Sequence, residues 1–292
     1  MDWTSRRIST ILATALEEDH ATSDATTYAC IPPHQRATAT IIAKEDCILA
    51  GIGCVQRIYD VFAALDNTVV AHPEVTTHPE IFDGVHLHKG QQVAVIQHNA
   101  RILLSCERVI LNLLQRMSGI ATETRKYVDA IAGTGARILD TRKTVPGLRL
   151  LDKYSVSCGG GKNHRLDLAD GILIKNNHID LAGGVQPALE RALANRRGNQ
   201  PIEVEVRGPE ELEAALRYGA EAILLDNHTP EQTRSAVQRI RAHSDRMPIE
   251  SSGGITLENV RQYAEAGVTY ISVGALTHSA RAVDLSMRIL PD

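Results

Sequence analysis

The chain has 292 residues, 43% hydrophobic and 23% charged, which is the make-up of an ordinary soluble globular protein with ample core for one large or two modest domains. Lys+Arg of 31 against Asp+Glu of 35 gives a net charge of −4, so no global field favours nucleic acid or an anionic membrane. One Trp, seven Tyr and two Phe leave few platforms for stacking single-stranded bases, and no apolar run approaches the roughly 20 residues that span a bilayer.

The opening Met1-Asp2-Trp3-Thr4-Ser5-Arg6-Arg7 leads into an amphipathic helix, Ile8–Glu18, rather than an apolar signal core. Strands are predicted at Ala37–Ala43, Thr68–His72 and Gln92–Gln97, with a helix at Val55–Leu65 and turns at Pro32-Pro33, Asp66-Asn67, Asp83-Gly84 and Lys89-Gly90. That texture is a separate α+β unit. A long helical pattern follows from Arg101 to Ala132, where Leu103, Val109, Ile110, Leu113, Leu114 and Ile120 share a face and a break is expected near Ser118-Gly119.

Six short apolar runs then end abruptly in polar residues or glycine: Arg137–Asp140, Gly171–Lys175, Pro201–Glu205, Ala222–Asp226, Pro248–Ser251 and Tyr270–Gly274. Helical patterns at Val185–Ala194, Pro209–Tyr218, Pro230–His243 and Leu257–Ala266 separate the later ones. This is the alternation of β/α units, in a barrel or a doubly wound sheet, and no G-x-G-x-x-G follows any strand. In a barrel, the rim at the strands' C-terminal ends is where active sites are built.

Three constellations fall on those ends. Arg142, Lys143, His164, Arg165 and Lys175, with Arg108 on the long helix, are a cationic set suited to a small polyanion. Glu205 and Asp226 end consecutive strands and could hold Mg²⁺ or ribose hydroxyls, whereas Glu203 is read as pointing to the opposite side of its strand. Ser252-Gly253-Gly254, before a helix opening near Thr256, and Gly274-Ala275 occupy the last two loops, where barrels often bind phosphate. His72, His78, His86, His88 and His98 have no cysteine or acidic companions and are read as structural or exposed. Cys158 has no paired base and is read as a packed thiol. The five cysteines are odd in number and form no C-x-x-C pair, which points to a reducing, cytoplasmic setting. Spacing alone therefore reaches an enzyme acting on a phosphorylated, multiply anionic substrate with a divalent cation. A non-catalytic sensor of such a compound stays open beside it.

The residues also carry a resemblance. Ala15-Leu-Glu-Glu-Asp19, Glu107-Arg-Val-Ile-Leu-Asn112, Asp140-Thr-Arg-Lys-Thr144, Pro146-Gly-Leu-Arg149 and Gly159-Gly-Gly-Lys-Asn-His-Arg165 appear in order. Leu173-Ile-Lys-Asn-Asn-His-Ile179, Glu203-Val-Glu205, Leu225-Asp-Asn227, Ser252-Gly-Gly-Ile255 and Ile271-Ser-Val-Gly-Ala-Leu-Thr277 complete them. Over nearly its whole length the chain resembles the quinolinate phosphoribosyltransferase family. The resemblance implies an N-terminal α/β sandwich domain (residues 1–115), an open, incomplete α/β barrel (116–275), and a C-terminal helix (276–292) returning to the first domain. It implies conversion of quinolinate and phosphoribosyl pyrophosphate to nicotinate mononucleotide, pyrophosphate and CO₂, with Mg²⁺, for de novo NAD biosynthesis. It also implies a homodimer with shared active sites, or a hexamer built from it, with no nucleic-acid or membrane partner. Arg108 of a neighbour would join Arg142, Lys143, His164, Arg165 and Lys175 around quinolinate. Glu205 and Asp226 would face the ribose and metal-pyrophosphate region, while Ser252, Gly253, Gly254, Gly274 and Ala275 would cradle phosphate. Lys143 is a candidate proton donor. Three positions depart from the pattern: Asn176 stands where an acid is usual, Ser23 where glycine is, and Arg207 where a smaller polar residue is expected.

Overall fold

The chain, described here from a computed structural model over residues 1–66 and 73–292, alternates helices and strands throughout. Helices α1 (Arg6–Glu18) and α2 (Ala25–Cys30) precede strands β1 (Arg36–Ala43) and β2 (Cys47–Ile48). Helix α3 (Ile52–Leu65) and strands β3 (Glu74–Thr76), β4 (His86–Leu87) and β5 (Gln92–Asn99) lead to the long helix α4 (Ala100–Ala130). Next come β6 (Arg137–Leu139), α5 (Arg149–Cys158), β7 (Ile172–Ile174), α6 (Asn176–Ala182), α7 (Val185–Asn195), β8 (Ile202–Val206), α8 (Pro209–Arg217) and β9 (Ala222–Asp226). The last elements are α9 (Pro230–His243), β10 (Ile249–Ser252), α10 (Val260–Glu265), β11 (Tyr270–Ser272), α11 (Ala275–His278) and β12 (Leu285–Pro291). The expected strand at Thr68–His72 lies outside the described residues.

Two compact units divide these elements. The first comprises Met1–Glu123, Thr144–Gly160 and Ser279–Asp292. Its antiparallel sheet has the order β12-β1-β5-β3. Strand β1 alternates as the period-two rule requires, burying Ala37, Ala39, Ile41 and Ala43. Helix α1 adds Ile8, Leu12 and Leu16, four residues apart on one face, to the same core. Asp152 on α5 is fully buried and takes both prongs of Arg116, Nε to Oδ1 at 2.9 Å and Nη2 to Oδ2 at 2.8 Å. The Val145 amide donates to the same carboxylate at 3.1 Å, so the segment Thr144–Gly160 is fastened to α4 by one satisfied ion pair.

Two expectations are corrected in this unit. The helix expected over 276–292 stops at His278, the end of α11, and the chain then forms strand β12, which pairs antiparallel with β1 from Ala37↔Pro291 to Ala43↔Leu285. The open edge of β1 supplies backbone partners along this strand. Helix α4 also runs through Ser118-Gly119 without a break. Gly119 is there for space, since a Cβ would overlap the Arg281 carbonyl. Ser118 is there for bonding, accepting the Ala50 amide at 3.0 Å.

The second unit comprises Thr124–Lys143 and Gly161–His278. Six parallel strands run in the order β6-β11-β10-β9-β8-β7, so β6 and β7 are edges and the barrel stays open between them. Helices α8 and α9 open with Pro209 and Pro230, and Thr229 with Gln232 forms a capping box. Because the strands are parallel, all their C-terminal ends reach one rim. Helix α10 begins at Val260, later than the Leu257 start expected, with Asn259 Oδ1 accepting the Thr256 amide at 2.8 Å in the turn before it.

Replacing Gly119 with alanine should cost about 1–3 kcal/mol, the usual penalty of overpacking. A lowered urea midpoint with unchanged far-UV circular dichroism would show it.

Candidate active site

The rim encloses a cavity of about 660 Å³ lined entirely from the second unit. Four of the six strands contribute by the same rule, and β8 adds Glu205. Residues two apart share a face, so Leu173 and Lys175, Leu224 and Asp226, Glu250 and Ser252, and Ser272 and Gly274 all line it in pairs. Lys143, Arg142 and Thr141 enter from the end of β6, and His164 and Arg165 from the segment that crosses the open side.

The cationic side is strained electrostatically. Arg142 Nε is buried without a hydrogen-bond partner. Burial and then the nearby Arg142 charge push the Arg165 guanidinium below its ordinary range, although its Nη1 donates to Gly171 O at 3.0 Å. An orphaned buried donor and two mutually repelling guanidinium groups are stabilised when an anion arrives between them. Lys175 Nζ lies 3.1 Å from Glu205 Oε2; the lysine is partly exposed and the carboxylate buried. The Lys175 amide donates to His178 Nδ1 at 2.9 Å, which fixes the entry into α6.

Asp226 and the glycine loops form the other side. Ser252 pairs in register with both Asp226 and Ser272. Asn227 holds a left-handed backbone, φ 53°, donates its amide to Ser252 O at 2.9 Å, and presents Nδ2 to Asp226 Oδ2 at 2.8 Å. Gly253, at φ 90°, packs where a Cβ would overlap the Asn227 side-chain oxygen. At Gly274 a Cβ would come 3.0 Å from Lys143 Cδ. Bare backbone at both loops leaves room for a phosphate against N–H groups. Helix α10 opens at Val260 rather than near Thr256 as expected, so no helix end directly follows the Ser252–Gly254 loop.

The comparisons agree with this arrangement. The pattern for the quinolinate phosphoribosyl transferase N-terminal domain matches residues 24–118, and that for the C-terminal domain matches residues 120–288. The chain is 44% identical over 264 residues to the nicotinate-nucleotide pyrophosphorylase [carboxylating] of Mycobacterium leprae, covering 90% of each chain. It is 42% identical to the probable enzyme of the same name from Bacillus subtilis, covering 93% of this chain and 90% of that one. Among solved structures, NadC from Streptococcus pyogenes superposes with a TM-score of 0.91 at 38% identity, covering 100% of this chain and 99% of that one.

The chain belongs to the quinolinate phosphoribosyltransferase family. The two-unit fold with an incomplete α/β barrel is the fold of that family.

Of the residues expected from sequence to meet substrate, phosphate or metal, all but Arg108 line the cavity; Arg108 is exposed on α4, in the first unit. Asn176 opens α6, where its Oδ1 accepts the Asn177 amide, and Arg207 is taken up by Glu211 and Asp180; neither lines the cavity. The Cys158 thiol is pushed up to about 11, by burial first and the Asp83 charge second, so it stays protonated.

Glu203 is a correction and Glu250 a residue that sequence reasoning missed. Glu203 shares its face with Glu205, two positions on, and so points into the barrel. There His164 Nε2 meets Glu203 Oε2 and Glu250 Oε2, each at 3.4 Å. Glu250 could have been found by the same rule, two residues before Ser252. Burial alone would lower the His164 pKa; its hydrogen bonds to Glu203 and Glu250 outweigh that and carry it up to about 10. The Arg165 amide, 2.7 Å from Nδ1, favours the neutral ring, but two buried carboxylates outweigh one neutral hydrogen bond. Burial, reinforced by Glu250, raises the Glu203 carboxyl against the pull of His164.

With a folded value near 10 against an ordinary 6.5, His164 contributes stability that is complete below about pH 6.5 and lost as pH rises through 10. Denaturation of the unliganded protein across that window should show a decline, and His164→Gln should flatten it by up to about 1.4 kcal/mol per pH unit. An unchanged slope in the variant would contradict this.

Proposed function

We propose that the chain is a decarboxylating quinolinate phosphoribosyltransferase that joins quinolinate to phosphoribosyl pyrophosphate, giving nicotinate mononucleotide, pyrophosphate and CO₂ for de novo NAD synthesis. The observation that carries this reading is the buried, unsatisfied Arg142 Nε beside Arg165, a deficit of negative charge that a dicarboxylate fills. Arg142, Lys143, Arg165 and Lys175 take the two carboxylates, His164 adds positive charge beside them from its place against Glu203 and Glu250, and Arg108 comes from a second copy in a homodimer. Ser252, Gly253, Gly254, Gly274 and Ala275 receive phosphate. Five free cysteines and the absence, among the described residues, of any helix long and apolar enough to cross a membrane support a cytoplasmic setting.

Two carboxylates, Glu205 and Asp226, fit Mg²⁺ in its usual mode of one or two acids completed by substrate phosphates. Bound there, the ion offsets charge on the departing pyrophosphate. Glu205, held by Lys175, and Asp226, held by Asn227, place negative charge beside the anomeric carbon as positive charge develops. The pyridine nitrogen forms the bond to that carbon as the bond to pyrophosphate breaks. The quaternised nitrogen is then the electron sink that lets the 2-carboxylate leave as CO₂. The pair left on the ring carbon takes a proton, and Lys143 is the donor at the cationic end.

Purified protein with quinolinate, phosphoribosyl pyrophosphate and Mg²⁺ should release CO₂ and nicotinate mononucleotide in equal amounts, with none from nicotinic acid. Binding without turnover would instead favour a sensor. Lys143→Ala should lower kcat by about 10²-fold or more, in the range for loss of a general acid. Mixing inactive Arg108→Ala and Lys143→Ala proteins should restore activity through hybrid dimers, and no restoration would remove the shared site.

A further inference from the structure

Glu203 and Glu250 have no part in the chemistry just described, yet Glu250 is buried and Glu203 half-buried beneath the cationic side. Inner positions of such barrels are normally filled by branched aliphatic residues. A buried carboxylate costs several kcal/mol unless it is paired. Glu250 is 3% exposed, one of its oxygens has no partner, and the other faces the His164 ring at 3.4 Å. The residue is therefore kept for that contact rather than for folding.

The ring they hold sits on the segment that crosses the open side of the sheet. It is tied to β6 by the Lys162 amide on Ile138 O at 2.8 Å and the Asp140 amide on Lys162 O at 3.2 Å, which make the isolated bridge Leu139↔Lys162, and by the His164 amide on the Asp140 side-chain Oδ1 at 2.9 Å. From the far side, β8 and β10 reach this segment through Glu203 and Glu250. The contact also separates the cavity from a second one of about 570 Å³ at the strands' N-terminal ends, since His164, Arg165, Leu173 and Glu250 line both.

We infer that Glu203 and Glu250 are positioning residues: they clamp the His164 ring across the barrel and so set Arg165 for the substrate's carboxylates before substrate binds. This rests on the proposed quinolinate reaction. It makes a counter-intuitive demand. Glu250→Gln removes negative charge near a cationic pocket, which by Coulomb's law alone should tighten a dianion. A clamp predicts the reverse.

The wild-type enzyme is assayed first, so that absence of turnover sinks the reaction itself and leaves the clamp aside. With wild-type turnover established, Glu250→Gln and Glu203→Gln should each raise KM for quinolinate at least fivefold and leave KM for phosphoribosyl pyrophosphate within twofold. A quinolinate KM that is unchanged or lower overturns the clamp. Should the variants not fold, a crystal of the wild-type protein with quinolinate still decides: His164 Nε2 stays on both carboxylates if the clamp is right and turns onto the substrate if it is wrong. One equivalent of transition metal in the purified wild-type protein, absent from both variants, would also overturn it by making the cluster a metal site.

Discussion

The barrel does not close, and most of the chemistry is arranged around that fact. With β6 and β7 left as edges, the chain that passes between them pairs with β6 through the single bridge Leu139↔Lys162 rather than a ladder. Side chains add the rest. Buried Asp140 takes the His164 amide and the barrel interior takes the His164 ring. Closing the ladder would have brought strands together where Arg142, Lys143, His164, Arg165 and Lys175 now converge. The gap gives the cations a place to stand, and the acids behind it keep them there.

The cavity is consequently polarised. Positive charge gathers at the open side, while hydroxyls, glycine backbone and Asp226 occupy the strands farther round. The two sides suit two parts of one reaction, a dicarboxylate ring and a sugar phosphate, and Glu205 lies between them with its charge shared by Lys175. The arrangement opposes stability. Arg142 with an orphaned nitrogen and Arg165 depressed by its neighbour are costs that an apolar lining would avoid. In the proposed reaction a bound dianion offsets both costs, so that substrate binding and relief of strain become one event.

Much of this was legible in the sequence, and the reason is the parallel sheet. Short apolar runs ending in polar residues mark strand ends, and strand ends in parallel array meet at one rim. That logic brought Lys175, Glu205, Asp226, Ser252 and Gly274 together without any contact being known. What failed were cases where tertiary packing overrode a local signal. Gly119 looked like a break in a helix, but it is a place where another backbone passes close. Residues 276–292 were taken for a helix, but β1 offered Leu285–Pro291 a free edge. Arg108 illustrates a different limit: position on a helix says nothing about which site an exposed side chain serves.

The most instructive miss is the pair inside the barrel. The rim reading stops at the last polar residue of each strand, although the period-two rule says that the residue two before it points the same way. Applied to β8 and β10 it gives Glu203 and Glu250, whereas on β7 and β9 it gives Leu173 and Leu224. Two acids and two leucines at equivalent depth cannot all be filling space. The acids are the residues that reach the His164 ring, each 3.4 Å from its Nε2. An inner acid two residues before a rim residue therefore points to the cation that the interior is built to hold.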